Sequence, residues 1–442
     1  MNYLESIDYI ESLSKHTTYS LANIKEFLNY LNNPQNNYPS IHIGGTNGKG
    51  SSVKMLASLL ADFNFTTGMF TGPHIHDWTQ RYEINGQCIS KVEFSRISSI
   101  LKDLNYKLAQ QNPEFLGLSW FEFLTAIAFY WFNERNIDVA VIEVGMGGRL
   151  DATNIITNVL ATVITNTEFD HEHILGDTIT KIAWEKAHII KPHTHIITAC
   201  NNEGLEVIRE FAQNNDAPML IIDPKTFKLK VVNGDHNFNL VYEQFLPIVK
   251  RHLRLMGLFQ TNNCLGVLLA LYIALTKLDI NMVVDLPDFL VLVANSLSKI
   301  TWPGRFQYLA DQKILLDACH NVSGAIALRK SLDFYFPQKK FIFIFACYLS
   351  KNPVGILNEI LQPDDILIAT QFQDKRLTFA PDELVKRARK FSPNLKACSD
   401  IKEALSLSYK LLTDNQIIVA IGSFKVVKEV NECLVKKPDM VN

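Results

Sequence analysis

The stretch Ile41-His42-Ile43-Gly44-Gly45-Thr46-Asn47-Gly48-Lys49-Gly50-Ser51-Ser52 sets the reading of the whole chain. An apolar, strand-like lead (Ile41, Ile43) runs into a glycine-rich turn. A lysine and two hydroxyls follow, then a helix-forming run from Val53 to Phe63. That order is strand, phosphate loop, helix N-terminus. Closely spaced glycines let backbone N–H groups converge on an anion, because no Cβ stands in the way. The dipole and N–H groups of a helix start add to that attraction. In this reading Lys49 reaches the β/γ-phosphates of a nucleotide, and Ser51 offers an oxygen to Mg²⁺. The spacing is not the common phosphate-loop formula. One residue fewer separates the first glycine from the Gly-Lys pair, and Gly50 stands between Lys49 and Ser51. A plain glycine-rich connector is the competing reading; the flanking strand and helix weigh against it.

Around this loop lies a chain of 442 residues, too long for one ordinary core. The net charge of −2 shows no basic excess that would point to nucleic acid or a membrane surface. The first residues lack the basic and apolar regions of a secretory signal. The most apolar helical run, Cys264 to Leu275, reads as too short to span a bilayer. The seven cysteines form no CxxC pair and read as idle thiols in a reducing compartment. The expectation is a cytoplasmic protein, a monomer that binds neither nucleic acid nor membrane.

Apolar residues recur at helical spacing through residues 1–40. Beyond the loop, Phe70-Thr71-Gly72-Pro73-His74 ends a strand, Arg81-Tyr82-Glu83 is a polar stretch, and Asn85-Gly86 signals a tight turn. Ser119 to Phe132 reads as a buried aromatic helix. Asp138 to Val144 is a continuous apolar strand of the kind a covered parallel sheet requires. Further strands are expected at Val159–Thr165, His195–Thr198, Met219–Ile222, Lys228–Val232 and Asn237–Tyr242. The segment Trp302-Pro303-Gly304-Arg305 marks the domain boundary, giving domains 1–301 and 302–442. After it, strands near Ile314, Phe341, Ile366 and Ile417 alternate with helices. The fold class is α/β in both parts, the second with a mostly parallel sheet.

In open α/β sheets ligands sit beyond the carboxyl ends of the strands. The unusual residues fall there: the glycine loop, Glu143, and Asp170-His171. Glu143 interrupts an apolar strand, and a buried carboxylate needs a cation. Mg²⁺ is one partner; a structural ion pair with Arg149 is the other. His171 is either a loop histidine or a ligand of metal or phosphate; His173 reads as solvent-facing. Lys186, beside Glu185, reads by itself as a surface lysine. Asp317-Ala318-Cys319-His320-Asn321 is a second strand-end ligand site, and Arg305 suits phosphate as a fixed bidentate donor. Hinge and turn chemistry is the alternative for both.

Together these motifs resemble the folylpolyglutamate synthase/dihydrofolate synthase family of Mur-type ligases. The resemblance rests on Gly-Thr-Asn-Gly-Lys-Gly-Ser (45–51), Phe121-Glu122, and the run from Glu143 through Arg149-Leu150-Asp151-Ala152-Thr153-Asn154. Asp170-His171, Glu185-Lys186-Ala187, Trp302–Arg305 and Asp317–Asn321 follow in order. It implies a phosphate-loop-containing, Mur-ligase-like N-terminal domain and a Rossmann-like C-terminal domain. It implies ATP-dependent addition of L-glutamate to dihydropteroate or reduced folates through an acyl phosphate.

The same resemblance implies nucleotide contacts from Gly45, Thr46, Asn47, Gly48, Lys49, Gly50, Ser51 and Ser52, and from Asn263, Arg305, Asp317 and His320. Ser51 and Glu143 would hold one Mg²⁺ and His171 a second. Lys186 matches a carbamylated lysine. Phe121, Glu122, Phe123 and Leu124, with Leu150, Asp151 and Ala152, match positions near the pterin. Lys49, His171, Lys186 and Arg305 form the expected catalytic set.

The chain also departs from the family pattern. Gly72-Pro73-His74 replaces Ser-Pro-His and removes a metal-binding hydroxyl, for which water or Thr71 is a substitute. Lys-Ala-Gly is Lys186-Ala187-His188, Asp-Lys-Asp is Ser350-Lys351-Asn352, and Gly-Ser-Leu is Gly422-Ser423-Phe424. The departures at Gly72, Ser350 and Asn352 keep open a weakened relative that only binds nucleotide; another Mur-type ligase is a second rival, against which the run Arg149–Asn154 weighs.

Overall fold

The computed structural model describes residues 1–14, 20–235, 237–278 and 286–435. The chain forms two compact units. The first is Met1–Leu253 with Thr261–Ile300, and the second is Arg254–Gln260 with Thr301–Asn442. One cut at 302 therefore does not describe the division, because Arg254–Gln260 belongs with the later unit.

The first unit is built on nine strands. They are β1 (Ser40–Gly44), β2 (Thr67–Phe70), β3 (Tyr82–Ile84), β4 (Gln87–Cys88), β5 (Val139–Glu143), β6 (Val159–Ile164), β7 (His195–Thr198), β8 (Met219–Ile222) and β9 (Leu229–Val232). Their order is β4-β3-β2-β5-β1-β6-β7-β8-β9. From β2 to β8 every neighbouring pair is parallel; the edges β3, β4 and β9 are antiparallel. All positions of β1, β5 and β6 are buried, as expected of parallel strands covered on both faces. The register pairs Ile43 with Glu143 and with Val163, so β1, β5 and β6 end side by side. Asn85 and Gly86 both take positive φ and close the β3–β4 hairpin, the conformation that Asn-Gly favours.

One core cluster of the first unit is rich in aromatic residues. Phe27, Phe94, Phe123, Phe129 and Phe132 pack there with Ala140 and Ile142 of β5. The helix Trp120–Glu134 starts with a capping box, Ser119 and Glu122 each bonding the other's backbone. The apolar run around Cys264–Leu275 is longer than the sequence reading allowed. It lies within a helix, Phe259–Lys277, of 19 residues, enough by length and composition to cross a bilayer. Leu265, Leu268, Leu269 and Leu271 are each 0% exposed, so the helix is apolar because it is an interior element. The strand expected at Asn237–Tyr242 is instead the start of the helix Phe238–His252. Its buried residues Phe238, Tyr242, Phe245 and Val249 recur at helical spacing, a period that a short window hides.

The second unit has six strands: β10 (Gln307–Leu309), β11 (Ile314–Leu316), β12 (Lys340–Phe345), β13 (Ile366–Ala369), β14 (Leu395–Ala397) and β15 (Gln416–Ile421). They run in the order β10-β11-β15-β12-β13-β14, parallel except for edge strand β10. The sequence reading missed β10 and β14, three-residue edges with no fully buried position. Asp365 is 1% exposed and accepts from Arg329 Nη1 at 2.7 Å, Phe341 N at 3.0 Å and Gln362 N at 2.9 Å. Removing one partner of such a pair strands a charge in the interior.

Asp365→Ala should therefore lower the stability of this unit by about 3–5 kcal/mol. Asp333→Ala, which takes only the half-exposed partner of the same arginine, should cost under about 1 kcal/mol. Denaturant melts of the full chain, following the first transition, check both.

Candidate active site

The glycine loop is held from its back. A Cβ on Gly45, whose φ is +134°, would stand 1.9 Å from Thr165 Oγ1, so only glycine fits. Thr165 Oγ1 donates to Asn47 O at 2.6 Å, and Asn166 Oδ1 accepts from Thr46 N and Asn47 N. The segment after β6 thus fixes the loop. Gly48, at φ +89°, caps the helix Lys49–Asp62, and its Cβ would meet Asn263 Oδ1 at 2.5 Å. Ser52 N is bonded to Gly48 O, so Lys49, Gly50 and Ser51 form the first turn of that helix.

Two lysines converge on one carbonyl. Lys49 Nζ donates to Gly45 O at 3.0 Å and to Thr46 O at 3.1 Å. Lys186 Nζ, from the helix Ile179–Ala187, donates to Gly45 O at 3.1 Å. Lys186 is 3% exposed, so the surface-lysine reading is wrong. Burial, and then the charge of Lys49, lower its pKa to about 7, despite opposing contributions from Asp170, Asp151 and Glu185.

Glu143 closes β5 beside the loop. Its Oε2 accepts from Thr71 Oγ1 and from Gly72 N at 3.1 Å. Oε1 takes no hydrogen bond among the described residues, and the residue lines a cavity of about 440 Å³. The ion pair expected with Arg149 does not form; Arg149 pairs with Glu185 at 2.9 Å and stacks on Trp184. Thr71 is engaged by Glu143 as a hydrogen-bond donor. The cavity wall is aromatic at Phe70, Trp120 and Phe121, and it also includes Arg81, Leu150, Asp151 and Ala152. Its size is ordinary for a small-molecule site.

Residues 125–271 match the Mur ligase middle domain, and residues 306–433 match the dihydrofolate synthetase C-terminal domain. A dihydrofolate synthetase of Saccharomyces cerevisiae is 33% identical over 80% of this chain and 81% of its own. The chain belongs to the dihydrofolate synthase/folylpolyglutamate synthase family. A Bacillus subtilis member bearing both names is 29% identical over 94% of each chain. The Mycobacterium tuberculosis folylpolyglutamate synthase solved with ADP and AMPPCP superposes with a TM-score of 0.83 at 26% identity, covering 99% of both chains.

For a member of this family, the residues singled out in the sequence fall into three groups. Lys49, Ser51, Glu143, Lys186 and Asn263 gather on or beside the loop through the bonds and register above. His171 sits at φ +52° before the short helix Glu172–Leu175; its ring is 42% exposed and 3.9 Å from Asp170 Oδ1. Of the positions assigned to the pterin, Phe121, Leu150, Asp151 and Ala152 line the cavity, but Glu122, Phe123 and Leu124 do not. Glu122 is occupied by the helix cap, and Phe123 and Leu124 turn into the core.

The third group lies in the second unit. Asp317 accepts from Phe306 N and Cys319 N, both at 2.8 Å. Burial raises its pKa; the Arg305 charge opposes that shift. Arg305 itself stacks on Phe424, 4.6 Å from the ring centroid, and His320 Nδ1 lies 2.9 Å from Ala318 O. The sequence reading missed Arg81 and Trp120 as cavity residues. Arg81 preceding a strand was the available signal. Among the described residues no three of His, Cys, Asp and Glu gather as a metal site.

The Lys186 pKa gives a stability prediction with a defined sign. Its folded value lies near 7 and its ordinary value at 10.5, so the unfolded chain holds the extra proton between them. The burden of burying this charge is complete below pH 7, and stability recovers as pH rises toward 10.5. The melting-temperature advantage of Lys186→Met over wild type should shrink between pH 7 and 10; an unchanging difference would refute the shift.

Proposed function

We propose that this chain is an ATP-dependent ligase that joins L-glutamate to dihydropteroate, to folates, or to both. The observation that carries the reading is the pairing of Ile43 with Glu143. It sets a buried carboxylate beside the glycine loop, and that carboxylate also lines an aromatic cavity. The donors suit Mg²⁺, which prefers hard oxygens: the Ser51 hydroxyl and the unbonded Glu143 Oε1, with His171 as a candidate for a second ion. Bound Mg²⁺ would supply positive charge where two anions must meet.

The loop N–H groups and Lys49 hold the β/γ-phosphates of ATP. Asn263, Arg305, Asp317 and His320 contribute to nucleotide binding. Phe121, Leu150, Asp151 and Ala152 position the acceptor. Its carboxylate oxygen attacks the γ-phosphorus and ADP leaves, giving an acyl phosphate. The glutamate amine attacks the acyl carbon; phosphate leaves and the amine loses a proton. The Lys49 ammonium offsets the repulsion between carboxylate and phosphate. Lys186, with a neutral amine accessible near pH 7, can take up CO₂ with release of a proton, becoming an anionic carbamate.

Glutamate incorporation into dihydropteroate and tetrahydrofolate, assayed in parallel, tests the reading. Acceptor-dependent phosphate release with at least one of them is expected; release indifferent to both would overturn it. Lys49→Ala should lower kcat/KM at least tenfold, a loss of about 1.4 kcal/mol in the transition state. Lys186→Ala should lose activity and regain part of it in acetate, whereas full activity without acetate would exclude the carbamate.

A further inference from the structure

Arg81 is a buried charge that forms no ion pair among the described residues. It is 5% exposed and lines the cavity. Its guanidinium carbon lies 5.6 Å from the ring centroid of Trp78 and 5.3 Å from that of Trp120. Nε donates to His74 Nδ1 at 3.1 Å. Neither Nη atom has a hydrogen-bond or ion-pair partner among the described residues, and neither is sealed away from the cavity. Glu143 is near enough to favour the charged form, yet it spends Oε2 on Thr71 and Gly72. Stacking on indoles offsets part of the burden of burying a guanidinium, but not all of it. The fork of N–H groups that remains is the geometry that grips a carboxylate at two points.

The position of the fork is also defined. A Cβ on Gly72 would stand 2.6 Å from Arg81 Nη1, so the guanidinium packs directly against the Gly72 backbone. The N–H of that same residue donates to Glu143. Arg81 and Glu143 therefore both approach Gly72, and all three line the cavity together with Trp120 and Phe121. A side chain at 72 would make the end of the Arg81 side chain shift.

We infer that Arg81 is the subsite for the reacting carboxylate of the acceptor. The inference rests on the ligase reading and deepens it. The carboxylate lies on the Nη fork, its aromatic body lies against Trp120 and Phe121, and the reacting oxygen is delivered beside Glu143. Arg81 adds no covalent step; it orients one anion and weakens its repulsion of the other.

The test compares dihydropteroate with its carboxamide, which has the same body and no charge. Binding of each to the full chain with AMPPCP present is measured for wild type, Arg81→Met and Gly72→Ala. Wild type should prefer the carboxylate by about tenfold or more, as a charge-assisted pair implies. Arg81→Met should abolish the preference while leaving carboxamide affinity within about twofold of wild type, since its aromatic contacts are unchanged. Gly72→Ala keeps the arginine but displaces it, so it should reduce the preference too; it carries the test if Arg81→Met fails to fold. Equal binding of both compounds to wild type, or an undiminished preference in the variants, would overturn the subsite. So would a rise in the glutamate KM of Arg81→Met with the dihydropteroate KM unchanged. A wild type that ligates glutamate without discriminating would fail the subsite alone, whereas one that binds neither compound and shows no acceptor-dependent phosphate release would fail the ligase reading.

Discussion

The carbonyl of Gly45 carries two ammonium groups, and most of the site depends on that. Lys49 and Lys186 approach it from different helices. A backbone oxygen can accept both because Gly45 turns through a positive φ pressed against Thr165. A side chain there would lift the loop off the segment after β6, and both lysines would lose their common acceptor. The loop is therefore a joint between three parts of the chain.

Lys49 also sets the chemistry of Lys186. Burial lowers the Lys186 pKa, and Lys49 lowers it further. Asp170, Asp151 and Glu185 pull the other way without forming ion pairs with it. The amine is thus balanced between charged and neutral near physiological pH. Glu143 shows the complementary arrangement: one oxygen is locked by Thr71 and Gly72, and the other is left for the cavity. Each group is anchored on one side and available on the other, which is the preorganisation that catalysis requires.

Much of this was legible in the sequence because local signals agreed with the fold. Strand, glycine turn and helix lie in unbroken succession at 41–62, and the apolar run ending at Glu143 announced a covered parallel strand. The hairpin at Asn85-Gly86 was readable for the same reason. What was illegible depended on tertiary partners. Nothing around Lys186 distinguishes it from a surface lysine until Gly45 is brought to it. Glu122 looked like a substrate contact because Phe121–Leu124 match family positions near the pterin, but its carboxylate closes a helix cap. Phe238–His252 read as strand at its start because only the later Phe245 and Val249 reveal the helical period. Arg81 went unassigned because its importance lies in the absence of a counter-charge, which a sequence does not display.

The seven residues Arg254–Gln260 give the molecule an unusual kind of modularity. Met256 and Phe259 pack against the core of the second unit, although more than forty residues separate them from the segment that supplies the rest of it. A fragment beginning at 302 would be born with part of its interior missing. Exchange of C-terminal halves between relatives would likewise splice a foreign core onto a resident patch, so Met256 and Phe259 must travel with the sheet they serve. The natural unit of recombination is thus discontinuous in the gene although compact in space.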